Sequence, residues 1–512
     1  MRGKLLTLIF IFSSFSYSQI KNTYELNSPQ SLSSSVGLSD LPSGNIVTNI
    51  CICGDTVWIG TSKGLSRTTD GGKTWKNYFK TPEFGESKIS AIACRDGIIW
   101  VALARTVKID NNYFPEGLGL MYSTDGGETW TKVNQPIDDK NDTVEIYGIN
   151  QIKTLPVTTT INNIVYDIAL TKNAVFIASF AGGLRKSTDM GKTWHRVVLP
   201  PDNLNQINPQ DTLNFELNPV KNYNHRVFSV ISVEDSIIWV GTADGINKST
   251  DGGISWIKFN HQNQSSPISG NFVVALGNQK INIGNSEKNI IWGATINAND
   301  PNEYKALSFS EDGGNTWTTT LTGEFVHNIA FKDSIVYAVS DNGLWKTKNL
   351  GKTWEKAGKI VDPSSRHIIQ TSIFYSIGVQ RDTIWAGSSD GLVKFIDSEI
   401  FGENWKIYRT YEKVAGLGKT YAYPNPFSPW LEVTRIHYSV ENIQSKVTIE
   451  VFDFSMRKIR TVILNAPRDG IKEYDEIWDG KDDNGNIVPN GVYFYKVKID
   501  DKEIYGKILV IQ

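Results

Sequence analysis

Thr68-Thr69-Asp70-Gly71-Gly72-Lys73-Thr74-Trp75 joins a hydroxyl, a carboxylate, two glycines and an indole in one short string, and the chain repeats it. The string Ser/Thr-x-Asp-x-Gly-x-Thr-Trp, or a near copy, returns at 123–130, 187–194, 249–256 and 310–317. A sixth copy, 347–354, carries Asn349 in place of Asp, and a seventh is reduced to Asp397 followed by Gly402-Glu403-Asn404-Trp405. The chemistry is that of a tight turn. The carboxylate accepts backbone N–H groups across it, the second glycine permits a left-handed backbone, and the closing Trp packs between strands. A residue repeated once per unit builds the unit. Asp70, Asp125, Asp189, Asp251, Asp312 and Asn349, with Trp75, Trp130, Trp194, Trp256, Trp317 and Trp354, are therefore read as structural.

Each copy follows an alternating strand ending in small residues, such as Val57-Trp58-Ile59-Gly60-Thr61 or Ile384-Trp385-Ala386-Gly387-Ser388, and then a Gly-Leu step. Each unit thus holds four strands; in the first they run Ile46 to Cys53, Val57 to Thr61, Gly64 to Thr69 and Thr74 to Phe79. One such sheet cannot bury both faces alone, whereas radial stacking covers them. The reading is an all-β chain: a seven-bladed β-propeller over 46–410, with 404–408 as its last outer strand.

The repeats resemble the Asp-box (BNR) repeat of sialidases, sortilin-like receptors, xyloglucanases and photosystem II assembly-factor-like propellers. That resemblance brings an enzymatic alternative, an exo-acting glycoside hydrolase using the propeller mouth. A sialidase-like site implies an arginine triad and a Phe-Arg-Ile-Pro segment, which is missing, on a propeller that usually has six blades. A xyloglucanase-like site implies paired Asp between two propellers, and only one is read here. No catalytic residue is assigned, and a binding or scaffold module is preferred.

Composition narrows the classes. Among 512 residues, 52 Lys+Arg stand against 54 Asp+Glu, net -2, which argues against general nucleic-acid binding. The 40% hydrophobic content excludes wholesale disorder. Met-Arg-Gly-Lys, an apolar run from Leu5 to Phe12 and a serine-rich end read as a signal peptide over 1–18, cut before Gln19, with an N-terminal segment over 19–45. No later stretch is long and apolar enough for a transmembrane helix. The six His make no short-spaced ligand pair, so no metal and no cofactor are expected. Cys51, Cys53 and Cys94 read as small apolar residues, a Cys53–Cys94 bridge being disfavoured.

A linker over 411–420 leads to a β-sandwich over 421–512. Tyr423-Pro424-Asn425-Pro426-Phe427, Trp478-Asp479-Gly480 with Asn484-Gly485, Gly491-Val492-Tyr493-Phe494-Tyr495 and the terminal Lys507-Ile508-Leu509-Val510 occur in that order. This stretch resembles the type IX secretion (Por) C-terminal sorting domain, type A, and the Ig-like domain of the flagellar hook-capping protein. The resemblance implies export through the type IX machinery to the cell surface or the medium. Asp479, Asp482 and Asp483 read as a solvated hairpin tip, and Asp138, Asp139 and Asp142 as a solvated loop.

The repeat turns lie on one rim. Insertions at 105–117, 132–162, 198–224, 258–281 and 297–305 fall in connections that open on the other, and loops on a rigid scaffold carry function. Arg105, Lys108, Tyr113, His225 and Arg226 combine charge and aromatic surface there and are the candidate residues for an unknown protein or glycan partner, the chain being read as a monomer.

Overall fold

The computed structural model describes residues 38–283, 286–364, 367–397, 401–410, 419–430, 433–469 and 472–511. The signal-peptide reading and most of the linker fall outside them. The chain divides into two compact units, Met1–Thr410 and Tyr411–Gln512.

The first unit is a ring of seven antiparallel sheets, each with four strands consecutive in the chain. The innermost strands, one per blade, are Val47–Cys53, Lys88–Arg95, Val165–Leu170, Val227–Ser232, Phe272–Ile283, Val326–Lys332 and Phe374–Gln380. Blades one and four each gain a fifth strand: Leu38–Ser39 pairs outside Trp75–Asn77, and Gln206–Ile207 outside Trp256–Phe259. Among the described residues, the one helical element is a 3-10 turn, Tyr223–His225.

All seven innermost strands carry a β-bulge near their start, between Val47/Asn49, Ile89/Ala91, Val165/Asp167, Val227/Ser229, Val273/Ala275, Val326/Asn328 and Phe374/Ser376. A bulge turns one extra residue out of the ladder. Here these are Thr48, Ser90, Tyr166, Phe228, Val274, His327 and Tyr375, at the mouth of the ring, the end of its inner strands away from the repeat turns. The next residue frequently ties its blade to a neighbour. Asn49 Nδ2 donates to the Ser90 carbonyl at 3.3 Å. Val230 N donates to Asp167 Oδ2 at 2.9 Å, Leu276 N to Ser229 Oγ at 3.1 Å, and Ser376 Oγ to the Val47 carbonyl at 3.3 Å.

The second unit packs two sheets around Phe427, Ile436, Tyr438, Ile449, Val451, Trp478, Tyr495 and Ile508, all nearly inaccessible. One sheet holds Thr420–Tyr423, Thr434–Val440 and Lys472–Trp478; the other holds Lys458–Asp469, Gln444–Phe452, Gly491–Ile499 and Lys502–Val510. Three of its sequence motifs meet. Asn425 Oδ1 accepts from Leu509 N at 2.8 Å, while its Nδ2 donates to the Lys507 carbonyl at 2.8 Å. A Cβ on Gly480 would lie 2.4 Å from Pro429 and 3.1 Å from the Phe427 ring. Asp482 accepts from Asn484 N and Asn486 N, as a polar turn that holds itself.

Candidate functional site

The repeat turns are self-contained. Asp70 Oδ1 accepts from Lys73 N and Thr74 N at 2.9 and 3.0 Å, Oδ2 from Thr74 Oγ1 at 2.7 Å, and Thr68 Oγ1 takes the Gly72 N–H at 2.8 Å. Burial works against the charge, but these donors hold the Asp70 carboxyl down at about 2. Asn349 keeps the pattern, accepting from Thr353 N at 3.0 Å and donating to Thr353 Oγ1 at 2.9 Å. With their lone pairs spent on the turn, these carboxylates serve as braces.

The second glycine has a further use. A Cβ on Gly127 would lie 2.4 Å from the Trp58 ring of the preceding blade, and one on Gly72 2.9 Å from Trp385. Lys186 and Lys248 lie 5.3 and 5.1 Å from the ring centres of Phe176 and Trp239. Each then donates to a glycine carbonyl of the next turn, Gly252 or Gly313, at 2.9 Å. The turn is thus where one blade docks on the last.

The large insertions form a collar rather than a crown of loops. Val144–Tyr147 and Asn150–Thr154 make a hairpin, and Glu216–Leu217 from the next insertion pairs parallel to its second strand. Tyr147 Oη reaches the Ile254 carbonyl in the repeat turn of blade four at 2.7 Å, so this insertion runs down the outer edge to the opposite rim. Asp138 is not in a solvated loop. Its side chain is 3% exposed and pairs with Arg185 at 2.7 Å and Arg196 at 2.8 Å, while Arg196 also holds Asp142 and Glu145. Burial opposes its charge, yet the two guanidinium groups keep the Asp138 carboxyl below its ordinary range.

The candidate residues separate into two groups. Residues 105–117 are mostly paired strand, Ile98–Ile109 against Asn112–Ser123, because the alternation continues through the insertion. On this exposed hairpin Arg105 pairs with Glu116, and Lys108 sits 5.8 Å from the Tyr113 ring centre. His225 and Arg226, by contrast, are 2% and 4% exposed and do not form a surface patch. His225 Nδ1 accepts from Asn218 N at 3.0 Å and Nε2 lies 3.2 Å from the Leu199 carbonyl; burial pushes the imidazole down to about 4. Among the described residues, no hydrogen bond, ion pair or ring contact joins Arg105, Lys108 or Tyr113 to His225 or Arg226.

Sequence reading missed an aromatic arc at the mouth of the ring. Phe228 lies 5.3 Å from Tyr166, 6.3 Å from Phe180 and 4.5 Å from Phe272, centre to centre. His327 lies 4.4 Å from Phe325 and 5.6 Å from Tyr375. Tyr166, Phe228, His327 and Tyr375 are bulge residues. The signal that marks them is the aromatic immediately after the first residue of the inner strand. Carboxylates near the arc are held by protein donors: Asp167 by Ile168, Ser229 and Val230, Asp341 by His327, and Glu303 by Asn271 and Ala298. Burial pushes the Asp167 carboxyl up to about 6. Among the described residues no group of three or more His, Cys, Asp or Glu could hold a metal ion, and no helix is long and apolar enough to cross a membrane.

A family model for the BNR/Asp-box repeat matches residues 121–132. No curated protein matches the chain. Solved structures similar to it include PorZ, an essential bacterial surface component of the type-IX secretion system of Porphyromonas gingivalis, at 15% identity, covering 91% of this chain and 66% of that one, TM-score 0.35. Others are the GH74 enzyme of Niastella koreensis, 14% identity, 91% and 65% coverage, TM-score 0.49, and YCF48 from Cyanidioschyzon merolae, 17% identity, 70% and 96% coverage, TM-score 0.42. The chain therefore spans a little under two thirds of the length of the first two. Asp-box repeats and a ring of seven four- or five-stranded sheets make this unit a β-propeller.

Proposed function

We propose that this is a secreted or cell-surface bacterial propeller protein that binds a protein or glycan ligand at the aromatic mouth of its ring. The aromatic arc carries the reading. Tyr166, on an inner strand, and Phe180 and Phe325, beside strand ends, pack on the buried Phe228 and Phe272 yet stay half-buried, and rings held on a rigid base form a recognition surface at low entropic cost. The carboxylates beside it are occupied by structural donors, which supports binding over glycoside hydrolysis. The N-terminal apolar run and the motif order of residues 421–512 support export, with the second unit acting as the sorting signal read by type IX machinery. Mutual bracing of Asn425 and the terminal strand gives that unit the self-contained core a detachable signal needs.

The test pairs faces of one blade in the full chain. Tyr166→Ser and Phe180→Ser weaken capture of polysaccharides or surface proteins from the producing cells, while Lys192→Ser on the repeat-turn rim leaves it unchanged. Equal loss from both faces, or release of reducing sugar from a chromogenic glycoside panel, contradicts the reading.

A further inference from the structure

The mouth holds a buried cation that no carboxylate meets in an ion pair among the described residues, although Asp202 lies near enough to favour its charge. Arg226 stands just before the innermost strand of blade four and is 4% exposed. Its Nε donates to the Pro219 carbonyl and its Nη2 to the Val220 carbonyl at 3.2 Å, whereas Nη1, equally buried, has no hydrogen-bond partner. Arg185, Arg196 and Arg409 are also buried, and each faces a carboxylate. Among the described residues Arg226 has no ion pair.

Burial pushes the Arg226 guanidinium down to about 10. A charge taken from water is costly unless paired and hydrogen-bonded, and carbonyl oxygens supply only part of that compensation. Nor do the neighbouring rings supply the rest. The guanidinium carbon lies 4.3 Å from the Tyr223 ring centre and 5.5 Å from Phe180, which leads on to Phe228. These faces attract a cation but carry no opposite charge.

We propose that the mouth binds a carboxylate joined to an apolar body, with the carboxylate on Nη1 of Arg226 and the apolar body against Phe180, Tyr223 and Phe228. This rests on the mouth being the binding face, and it names the chemistry recognised there. Phe180 and Tyr223 are half-buried, and binding at Nη1 requires one of these rings to turn aside. Two ring faces lie against the guanidinium, which suits an apolar acid better than an acidic sugar. The acid is either a free small molecule or the C-terminal residue of a polypeptide.

Calorimetric titration of the full chain with N-acetyl-L-phenylalanine and its carboxamide tests this. Short peptides ending in Phe, with free or amidated termini, separate the two sources: tighter binding of the free-ended peptide than of N-acetyl-L-phenylalanine assigns a polypeptide end, and equal binding assigns a small acid. The free acids bind, and the amides bind at least about tenfold more weakly, since a charge-assisted contact is lost. Arg226→Gln reproduces that loss with acid ligands at an unchanged unfolding midpoint. If that variant does not fold, Phe180→Ala, which leaves both guanidinium hydrogen bonds in place, weakens acid binding instead. Equal affinity for acid and amide overturns the carboxylate proposal while leaving the mouth as a binding face. Failure of the acids to bind, tighter binding of glucuronate, or full binding by a folded Arg226→Gln also overturns it.

Discussion

The indole of Trp75 in blade one meets the indole of Trp385 in blade seven edge-on, with ring centres 6.1 Å apart and planes at 88°. Tyr408 joins the pair, 5.7 Å from Trp75 and stacked on Trp385 at 5.9 Å. Beside them Asn45 Nδ2 donates to the Thr410 carbonyl at 3.0 Å and Asn45 Oδ1 accepts from Thr410 N at 2.6 Å. The ring closes by side chains and short polar clasps between complete blades, and no strand is exchanged to seal it among the described residues.

The same contact recurs around the ring and predicts a difference between adjacent glycines. Gly126→Ala strains a left-handed backbone, φ 71°, with only Arg67 Nη1 near at 3.5 Å, and costs about 1 kcal/mol. Gly127→Ala, φ 87°, also drives a methyl into Trp58 and Tyr78 and costs about 2–4 kcal/mol. Urea denaturation of the two variants measures the gap.

The architecture was legible because its determinants are local. Asp, Gly and Trp at fixed offsets specify the turn, and alternation specifies each strand. The collar was not legible, because Arg196 and Asp138 meet only after residues 132–162 fold back along blade three. Nor was the arc: Tyr166, Phe228, His327 and Tyr375 converge through the ring, with no spacing between them to read. His225 and Arg226 looked like surface charge because the segment that covers them, 199–220, reads as a polar loop.

Arg185→Met leaves Asp138 buried with one fewer counter-charge and destabilises the propeller by about 3 kcal/mol. Asp138→Leu combined with Arg185→Met recovers part of that loss. Thermal denaturation of the single and double variants checks both statements.

Acid dependence has two opposed parts. His225 sits at about 4 when folded against an ordinary 6.5, so the unfolded chain takes up the proton first. Stability is lost as pH falls from 6.5 towards 4. Asp167 sits at about 6 against 3.8, so the folded chain holds the proton longer, and stability is lost as pH rises from 3.8 towards 6. His225→Asn removes the first slope and Asp167→Asn the second, read from unfolding free energy across pH 4 to 7.

Asp251→Asn retains the turn, as Asn349 does naturally, whereas Asp251→Ala releases the N–H groups of Ile254 and Ser255. The Ala variant unfolds at lower denaturant than the Asn variant, and neither changes ligand binding at the mouth.

The aromatic mouth, and not the repeat-turn rim, is the face proposed to meet the ligand. Photo-crosslinking in producing cells tests it most directly, with p-benzoylphenylalanine placed at Phe180 on one rim of blade three or at Lys192 on the other. A discrete covalent adduct is expected from position 180 and none from position 192. An adduct from position 192 with none from position 180 would contradict it.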